Sequence, residues 1–210
     1  MKSDKKKWFE IFAVIITGFL KFVFMDRFNM RAVYIFIICI FWIIYVYLKY
    51  NGDHSVLEKW GIQKLYFKQS FLFLLPFAIV CITGIVIYGY ISRVHILTWH
   101  FLPVFMLYPV WGLIQQFMMT GLISGNLKAM KSIRFDNYQI VLVTSLLFSL
   151  AHYPDGFLMI FTFIMQCMFT IVFLRWKNIW PLGLYHGWIA TFLLYYVLGR
   201  DLWIELFAGF

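Results

Sequence analysis

Long apolar runs separated by short polar segments limit most strongly what this chain can fold into. A helix that crosses a bilayer needs about 20 mainly apolar residues, and such stretches recur along the chain. They cover residues 8–25, 32–48, 71–91, 99–123, 138–153, 157–174 and 180–198. The tail 201–210 is too short for a further crossing. We therefore predict an all-α fold, a bundle of about seven transmembrane helices that forms a single membrane domain over residues 1–210.

The composition agrees with this prediction. Of the 210 residues, 63% are hydrophobic and 13% are charged, whereas a soluble domain is about half apolar and a quarter charged. The net charge of +9 suggests nucleic acid at first sight, but the basic residues form short clusters between the apolar runs. We predict membrane lipid as the partner of the bundle surface and no nucleic-acid partner.

The basic clusters predict an orientation with the N-terminus in the cytoplasm. Most of the 18 Lys and Arg residues then lie in cytoplasmic segments, as the positive-inside rule requires. The opposite side carries only Arg27, Arg31, Arg93 and Arg200.

The first run lacks a small-x-small cleavage site, so we interpret it as an uncleaved span. The cysteines Cys39, Cys81 and Cys167 fall inside apolar runs and are expected to be free.

Segment 50–70 is too polar to span the membrane. It places Val56, Leu57, Trp60 and Leu65 among charged residues at helical spacings, which predicts an amphipathic segment along the inner interface. A plain connecting loop is the alternative.

Polar side chains inside the predicted spans are few, and those that form candidate motifs lie on three helices. The fourth span carries Gln115, Gln116 and Thr120, the fifth Phe148 and His152 in FSLAH, and the seventh His186 and Ala190 in LGLYHGWIA. Residues four apart share a helix face, so each set can point into the bundle. A lone membrane histidine is most often a packing residue. Two of them on separate helices, with a glutamine pair on a third, favour one convergent polar site.

Small residues and prolines surround these candidates. Gly183 and Gly187 form a small-xxx-small pair that flanks His186 and allows a neighbouring helix to approach closely. Pro103 and Pro109, in the outer half of the fourth span, are able to kink it and open room near the glutamines. Each signal is weak by itself.

The order of the motifs resembles the CPBP family of intramembrane proteases, also called the Abi family, which includes the type II CAAX prenyl endopeptidases. Their pattern is Glu-Glu-xxx-Arg, then Phe-xxx-His, then His-xxx-Asn or Asp. Here WGLIQQFMMTG, FSLAH and KNIWPLGLYHGWIAT stand in these places. The resemblance covers residues 70–200 and implies a CPBP-like core there. Residues 1–69 then hold two N-terminal spans and the interfacial segment.

The departures from the family pattern concern the chemistry. Glutamines replace both glutamates, a threonine replaces the arginine and an alanine replaces the asparagine. In the family a Glu is thought to activate water, while His and Asn residues stabilise the oxyanion. The resemblance therefore implies the catalytic positions His152, His186, Gln115 and Gln116, and the substrate-binding positions Phe148, Thr120 and Ala190.

A glutamine cannot act as the base near neutral pH, and general-base catalysis supplies about 10²–10⁴-fold in rate. The ordinary mechanism therefore needs another base. A metal mechanism has also been proposed for the family, but only His152 and His186 remain as good ligands where a catalytic zinc needs three. We predict no cofactor and disfavour a divalent metal. Glu10 is the only acidic residue inside a predicted span, and Asp155 belongs to a Tyr-Pro-Asp-Gly turn.

Three functions follow as hypotheses. The first is a protein with a degenerate protease site that binds a membrane protein partner or an apolar chain. The second is an active intramembrane endopeptidase that uses His152 or His186 as the base on a peptide or a lipidated substrate. The third is a small transporter, although no internal repeat and no membrane-embedded charged path support it. The low alanine content and the abundance of Lys, Ile and Phe favour a bacterial cytoplasmic membrane.

Overall fold

The computed structural model describes the backbone of residues 2–207 and the side chains of residues 4–207. The helices are α1 (Lys2–Lys21), continued by a π-helical segment (Phe22–Arg27), α2 (Arg31–Gly52), α3 (Val56–Lys59), α4 (Phe67–Ser92), α5 (Phe101–Gln116), continued by a second π-helical segment (Phe117–Ser124), α6 (Gly125–Ala129), α7 (Asn137–Leu150), α8 (Gly156–Trp176), α9 (Trp180–Tyr196) and α10 (Leu202–Phe207). No strand occurs within this part of the chain, and the all-α prediction is confirmed. The three cysteines are free, as predicted.

Five stretches are long and apolar enough to cross a membrane: Asp4–Arg27, Arg31–Gly52, Phe67–Ser92, Phe101–Ala129 and Gly156–Trp176. The other two predicted spans correspond to the shorter helices α7, of 14 residues, and α9, of 17. These rise roughly 21 and 26 Å, less than the apolar thickness of about 30 Å. The count of seven crossings stays a prediction. The tail forms the six-residue α10, and residues 208–210 lie outside the described residues.

Helix α9 lies at the centre of the bundle, and most of its residues are buried. It packs against α5 with the two backbones almost in contact. A Cβ atom added at Gly187 would lie 2.4 Å from the Cα atom of Pro109, and one at Gly183 would lie 2.5 Å from the Cγ atom of Leu113. The close approach predicted from the small-xxx-small pair is confirmed, and it fixes the height of α9 beside α5.

The connecting segments divide into two faces. On the first, called the basic face, the start of α1 meets loop 130–136, where Ser132 N donates to Asp4 Oδ2 at 2.9 Å. Segment 53–66 and turn 177–179 meet on the same face. On the second, called the opposite face, Ile96 N donates to the carbonyl oxygen of Tyr195 at 2.9 Å. The loops thus segregate as the basic clusters predict, while the assignment of the basic face to the cytoplasm stays a prediction.

Segment 50–70 differs from its predicted form. Only one helical turn, α3, forms between Gly52 and Phe67. Trp60 is 5% exposed, because its indole packs inside the bundle, whereas Leu65 is 58% exposed. Asn178 Nδ2 donates to the carbonyl oxygens of Gln63 and Leu65 at 2.8 Å each. The segment is therefore mostly a connecting loop fixed to the bundle, which favours the loop alternative, and its position along the inner interface stays a prediction.

Helix α5 continues into a π-helical segment that the sequence did not predict. Its eight residues, Phe117–Ser124, follow Gln116 directly, and all except Met119 are buried. π-helical turns are uncommon and occur frequently at functional sites. The wider turn changes which faces the residues after Gln116 in WGLIQQFMMTG present to the bundle.

Candidate site between the glutamine pair and the two histidines

Gln116, His186 and a third residue, Gln166, form one buried hydrogen-bond network between α5, α8 and α9. Gln116 and Gln166 are 0% exposed and His186 is 4% exposed. Gln116 Nε2 donates to Gln166 Oε1 at 2.9 Å and lies 3.1 Å from His186 Nδ1. Gln166 Nε2 donates to Thr170 Oγ1 at 3.2 Å. Neutral groups thus satisfy one another, as burial in a bundle requires.

The hydrogen-bond partners assign the ring protons of the two histidines. His186 Nδ1 accepts from an amide nitrogen, so the neutral ring carries its proton on Nε2. His152 Nδ1 lies 2.9 Å from the carbonyl oxygen of Phe148, which can only accept. His152 therefore carries its proton on Nδ1 and keeps a lone pair on Nε2. At Nε2, His186 therefore offers a hydrogen-bond donor, and His152 offers an acceptor.

Phe148 connects the two histidines. Its ring centroid lies 4.9 Å from that of His152 and 5.4 Å from that of His186. In the sequence, His152 lies near the end of the predicted span 138–153 and His186 near the start of the predicted span 180–198, so the spans alone do not show that the two rings meet. The contacts of both rings with Phe148, and the cavity that both histidines line, show that the fold brings them together.

A small cavity of about 100 Å³ lies beside this network. Gln115, His152, His186 and Ala190 line it, together with Tyr108 and Arg200. Four of the seven predicted positions thus share one cavity. Among the described residues, no carboxylate lines it, and apart from Thr162 the rest of its wall is apolar.

The remaining predicted positions lie elsewhere. Neither Gln116 nor Thr120 lines the small cavity. Thr120 is 0% exposed, and its Oγ1 donates to the carbonyl oxygen of Gln116 at 2.6 Å. It supports the backbone of the π-helical segment, and its contact with a substrate stays a prediction. Phe148 lines a second, larger cavity.

The large cavity has a volume of about 450 Å³ and lies between the α1–α2 pair and the rest of the bundle. Its apolar wall includes Val14, Trp111, Met118 and Leu194. It shares Tyr108, Gln115, His152, Leu158, Leu194 and Arg200 with the small cavity. The two cavities are therefore neighbours, separated by side chains that face both.

Charged residues meet where the large cavity approaches the opposite face. Arg200 Nε and Nη2 donate to Glu205 Oε1 and Oε2 at 2.8 and 2.6 Å, and Arg31 also pairs with Glu205 Oε2. Burial opposes ionisation of Glu205, but the hydrogen bonds and charges of Arg200, followed by those of Arg31, lower its pKa. Helix α10 is thereby tied to α2 and to the end of α9.

Asp201 fixes the start of α10. It accepts from Thr98 Oγ1 at 2.9 Å, from Tyr195 OH at 3.0 Å and from Trp203 N at 3.1 Å, and it lies 2.7 Å from His100 Nδ1. Burial opposes its ionisation as well, but these donors, led by His100, lower the pKa of Asp201.

Sequence reasoning missed Gln166, Tyr108 and Arg200. Gln166 is the only strongly polar residue in its helix interior, in FTFIMQCMF, and this was the signal that could have revealed it.

Within the described residues, no group of three or more His, Cys, Asp or Glu side chains is arranged to hold a metal ion. His186 Nδ1 is also engaged with Gln116, so the donors present do not fit a catalytic zinc.

Residues 95–192 match the family model described as type II CAAX prenyl endopeptidase Rce1-like. This part of the chain is Rce1-like. The predicted family resemblance is confirmed, and the Rce1-like region holds all seven candidate positions from Gln115 to Ala190. Together with the five long apolar helices, it makes the chain an integral membrane protein. Searches of curated proteins and of solved structures gave no match. Helices α1 and α2 lie outside the Rce1-like region.

Proposed function

We propose that this protein is a non-proteolytic member of the Rce1-like group that binds an apolar chain in the large cavity. This apolar chain belongs to a lipid or to a lipidated membrane partner. It lies between the N-terminal helices and the Rce1-like region. Three of the candidate positions, Gln115, Phe148 and His152, form part of the neutral wall of this binding site.

The observation that carries the proposal is the closed network of Gln116, Gln166 and His186. A protease site of this family needs a group that takes a proton from water, but each member of the network is neutral and already bonded. The adjoining cavity of about 450 Å³ falls in the range of about 300–1,000 Å³ that is typical of small-molecule sites. The geometry therefore supports binding better than hydrolysis.

One observation favours the second candidate, an active hydrolase. His152 keeps a lone pair on Nε2 and lines the same cavity as His186, which carries a proton on Nε2. In this mechanism His152 takes the proton of water while the water oxygen attacks the peptide carbonyl. The Nε2–H of His186 then donates to the oxyanion.

Cleavage assays with prenylated and unmodified peptides distinguish the two candidates. The samples are wild type, His152→Ala, Gln115→Glu, and Gln115→Glu combined with Gln116→Glu. We expect no cleavage by wild type. Cleavage only by a glutamate variant would support a disabled protease site, whereas cleavage by wild type that disappears in His152→Ala would overturn the proposal. Gln115→Glu is tested alone because Gln115 lines both cavities, while Gln116 belongs to the buried network.

A further inference from the structure

The large cavity has a cationic end. Three basic side chains, Lys21, Arg31 and Arg200, line it together with one acidic side chain, Asp26. Lys21 Nζ lies 2.9 Å from Asp26 Oδ2, so these two charges neutralise each other. The two arginines remain as the charges that the cavity presents to an occupant.

The carboxylates that balance these arginines lie outside the cavity wall. Arg31 and Arg200 both pair with Glu205 Oε2, so their guanidinium groups converge on one point. Neither Glu205 nor Asp155, whose charge also acts on Arg200, lines the cavity. A guanidinium has five N–H donors, and Arg200 uses two of its nitrogens for Glu205. Donors of both arginines are therefore left for an anion on the cavity side.

The rest of the wall suits a hydrocarbon chain. The apolar wall of the large cavity includes Trp111 from α5 and Met118 and Met119 from the second π-helical segment. Met25 and Leu194 line it from neighbouring elements. Methionine side chains adapt to flexible apolar ligands. The cavity is thus amphipathic, with two arginines at one end and an apolar body.

We propose that the large cavity binds one anionic phospholipid, with its phosphate at Arg31 and Arg200 and an acyl chain along Trp111 and Met118. This inference rests on the proposed function, which assigns an apolar chain to the same cavity. Arginine pairs with phosphate through two parallel hydrogen bonds. Arg31 begins α2 and Arg200 follows α9, so both lie at helix ends, where lipid headgroups are found.

Native mass spectrometry of the purified full-length protein tests this assignment. The probes are phosphatidylglycerol and phosphatidylcholine with identical acyl chains. We expect wild type to retain phosphatidylglycerol about tenfold better, as one charge-assisted contact provides. Arg31→Gln and Arg200→Gln should reduce that preference to near unity. Arg27→Gln, which changes an exposed arginine outside the cavity wall, should leave it intact.

Glu205→Gln separates headgroup binding from a purely structural ion pair. It removes the negative charge that pairs with both Arg31 and Arg200 but leaves both arginines in place, so the preference for phosphatidylglycerol should persist or rise. A preference that falls equally in Glu205→Gln and Arg31→Gln would overturn the headgroup contact. Stronger binding of a free fatty acid than of phosphatidylglycerol would overturn the assignment to a phospholipid.

Gly18→Phe separates this inference from the proposed function. Gly18 lines the large cavity, and an added Cβ atom there meets nothing within 4 Å, so a phenylalanine occupies the cavity without a backbone clash. Gly84→Phe is the matched control, since Gly84 is equally open but lies on α4 outside the cavity. Both lipids carry a phosphate and differ in net headgroup charge, so equal retention by wild type overturns the assignment to an anionic lipid but leaves chain binding intact. Unchanged lipid binding in Gly18→Phe overturns chain binding as well.

Discussion

Gln115 and Gln116 are neighbours in the sequence, but they lie in different surroundings. Gln116 is fully buried and bonded to Gln166 and His186. Gln115 lines both cavities, and within the described chain its buried Oε1 has no hydrogen-bond partner. Removing a partner from a closed network leaves other buried polar groups unpaired, whereas removing an unpaired group does not.

The first prediction concerns this pair. Gln116→Met should lower the free energy of unfolding by about 1–2 kcal/mol, the size of hydrogen-bond effects between membrane helices. Gln115→Met, the matched control, should change it by less than about 0.5 kcal/mol. Thermal unfolding in detergent measures both. Equal losses in the two variants would contradict the network.

At the level of residues, the sequence predicted both histidines and the glutamine pair as partners in one site. It missed Gln166 because a single glutamine in an apolar run gives no information about which helix it faces. It assigned Thr120 to substrate through the family spacing; the hydroxyl of Thr120 is bonded to the carbonyl oxygen of Gln116, and its contact with a substrate stays a prediction.

The contact between α5 and α9 determines how the candidate residues meet. Gly183, Gly187 and Pro109 bring the two backbones together, and this places His186 beside Gln116. The close approach was predictable from the glycine spacing. The meeting of His152 and His186 at one cavity was not, because it depends on how α7 packs against the neighbouring helices.

The second prediction tests that contact. Gly187→Ala places a Cβ atom 2.4 Å from backbone atoms of Pro109, and overpacking of this kind costs about 1–3 kcal/mol. Thermal unfolding should show this loss. Gly84→Ala, where a Cβ atom has open space, should be nearly neutral. A neutral Gly187→Ala would mean that the helices are further apart than described.

The third prediction concerns the docking of α10. The pKa of Glu205 is lowered in the folded protein through Arg200 and Arg31. Its stabilising effect is therefore complete above the pKa it has in the unfolded chain, and it is lost as the pH falls through the lowered value. The difference in unfolding temperature between wild type and Glu205→Gln should shrink between about pH 7 and pH 3. Exposed Glu58→Gln serves as the control, and a difference that is independent of pH would contradict the ion pairs.

At the scale of the whole molecule, the all-α membrane bundle was predictable from the apolar runs, while the orientation predicted from the basic clusters stays a prediction. The large cavity was not predictable, because it lies between α1, α2 and the Rce1-like region, and its charged end depends on α10. A local sequence pattern does not predict contacts between α1, α2, α10 and the Rce1-like region, which are far apart in the sequence.

The fourth prediction tests the orientation. Seven crossings with a cytoplasmic N-terminus place Lys6 and Arg93 on opposite sides of the membrane. A single cysteine at residue 93, in a variant with the three native cysteines replaced, should react with an impermeant thiol reagent added outside intact cells. A cysteine at residue 6 should react only after the membrane is opened. The reverse pattern would contradict the orientation.

The central claim is that an apolar chain binds in the large cavity without being cleaved. Equilibrium binding of a fluorescent prenylated peptide, followed by mass analysis of the recovered peptide, tests it most directly. We expect wild type and Gly84→Phe to bind the peptide equally and Gly18→Phe to bind it at least about tenfold more weakly. All of the peptide should be recovered intact. Cleaved peptide from wild type, or equal binding by Gly18→Phe, would contradict it.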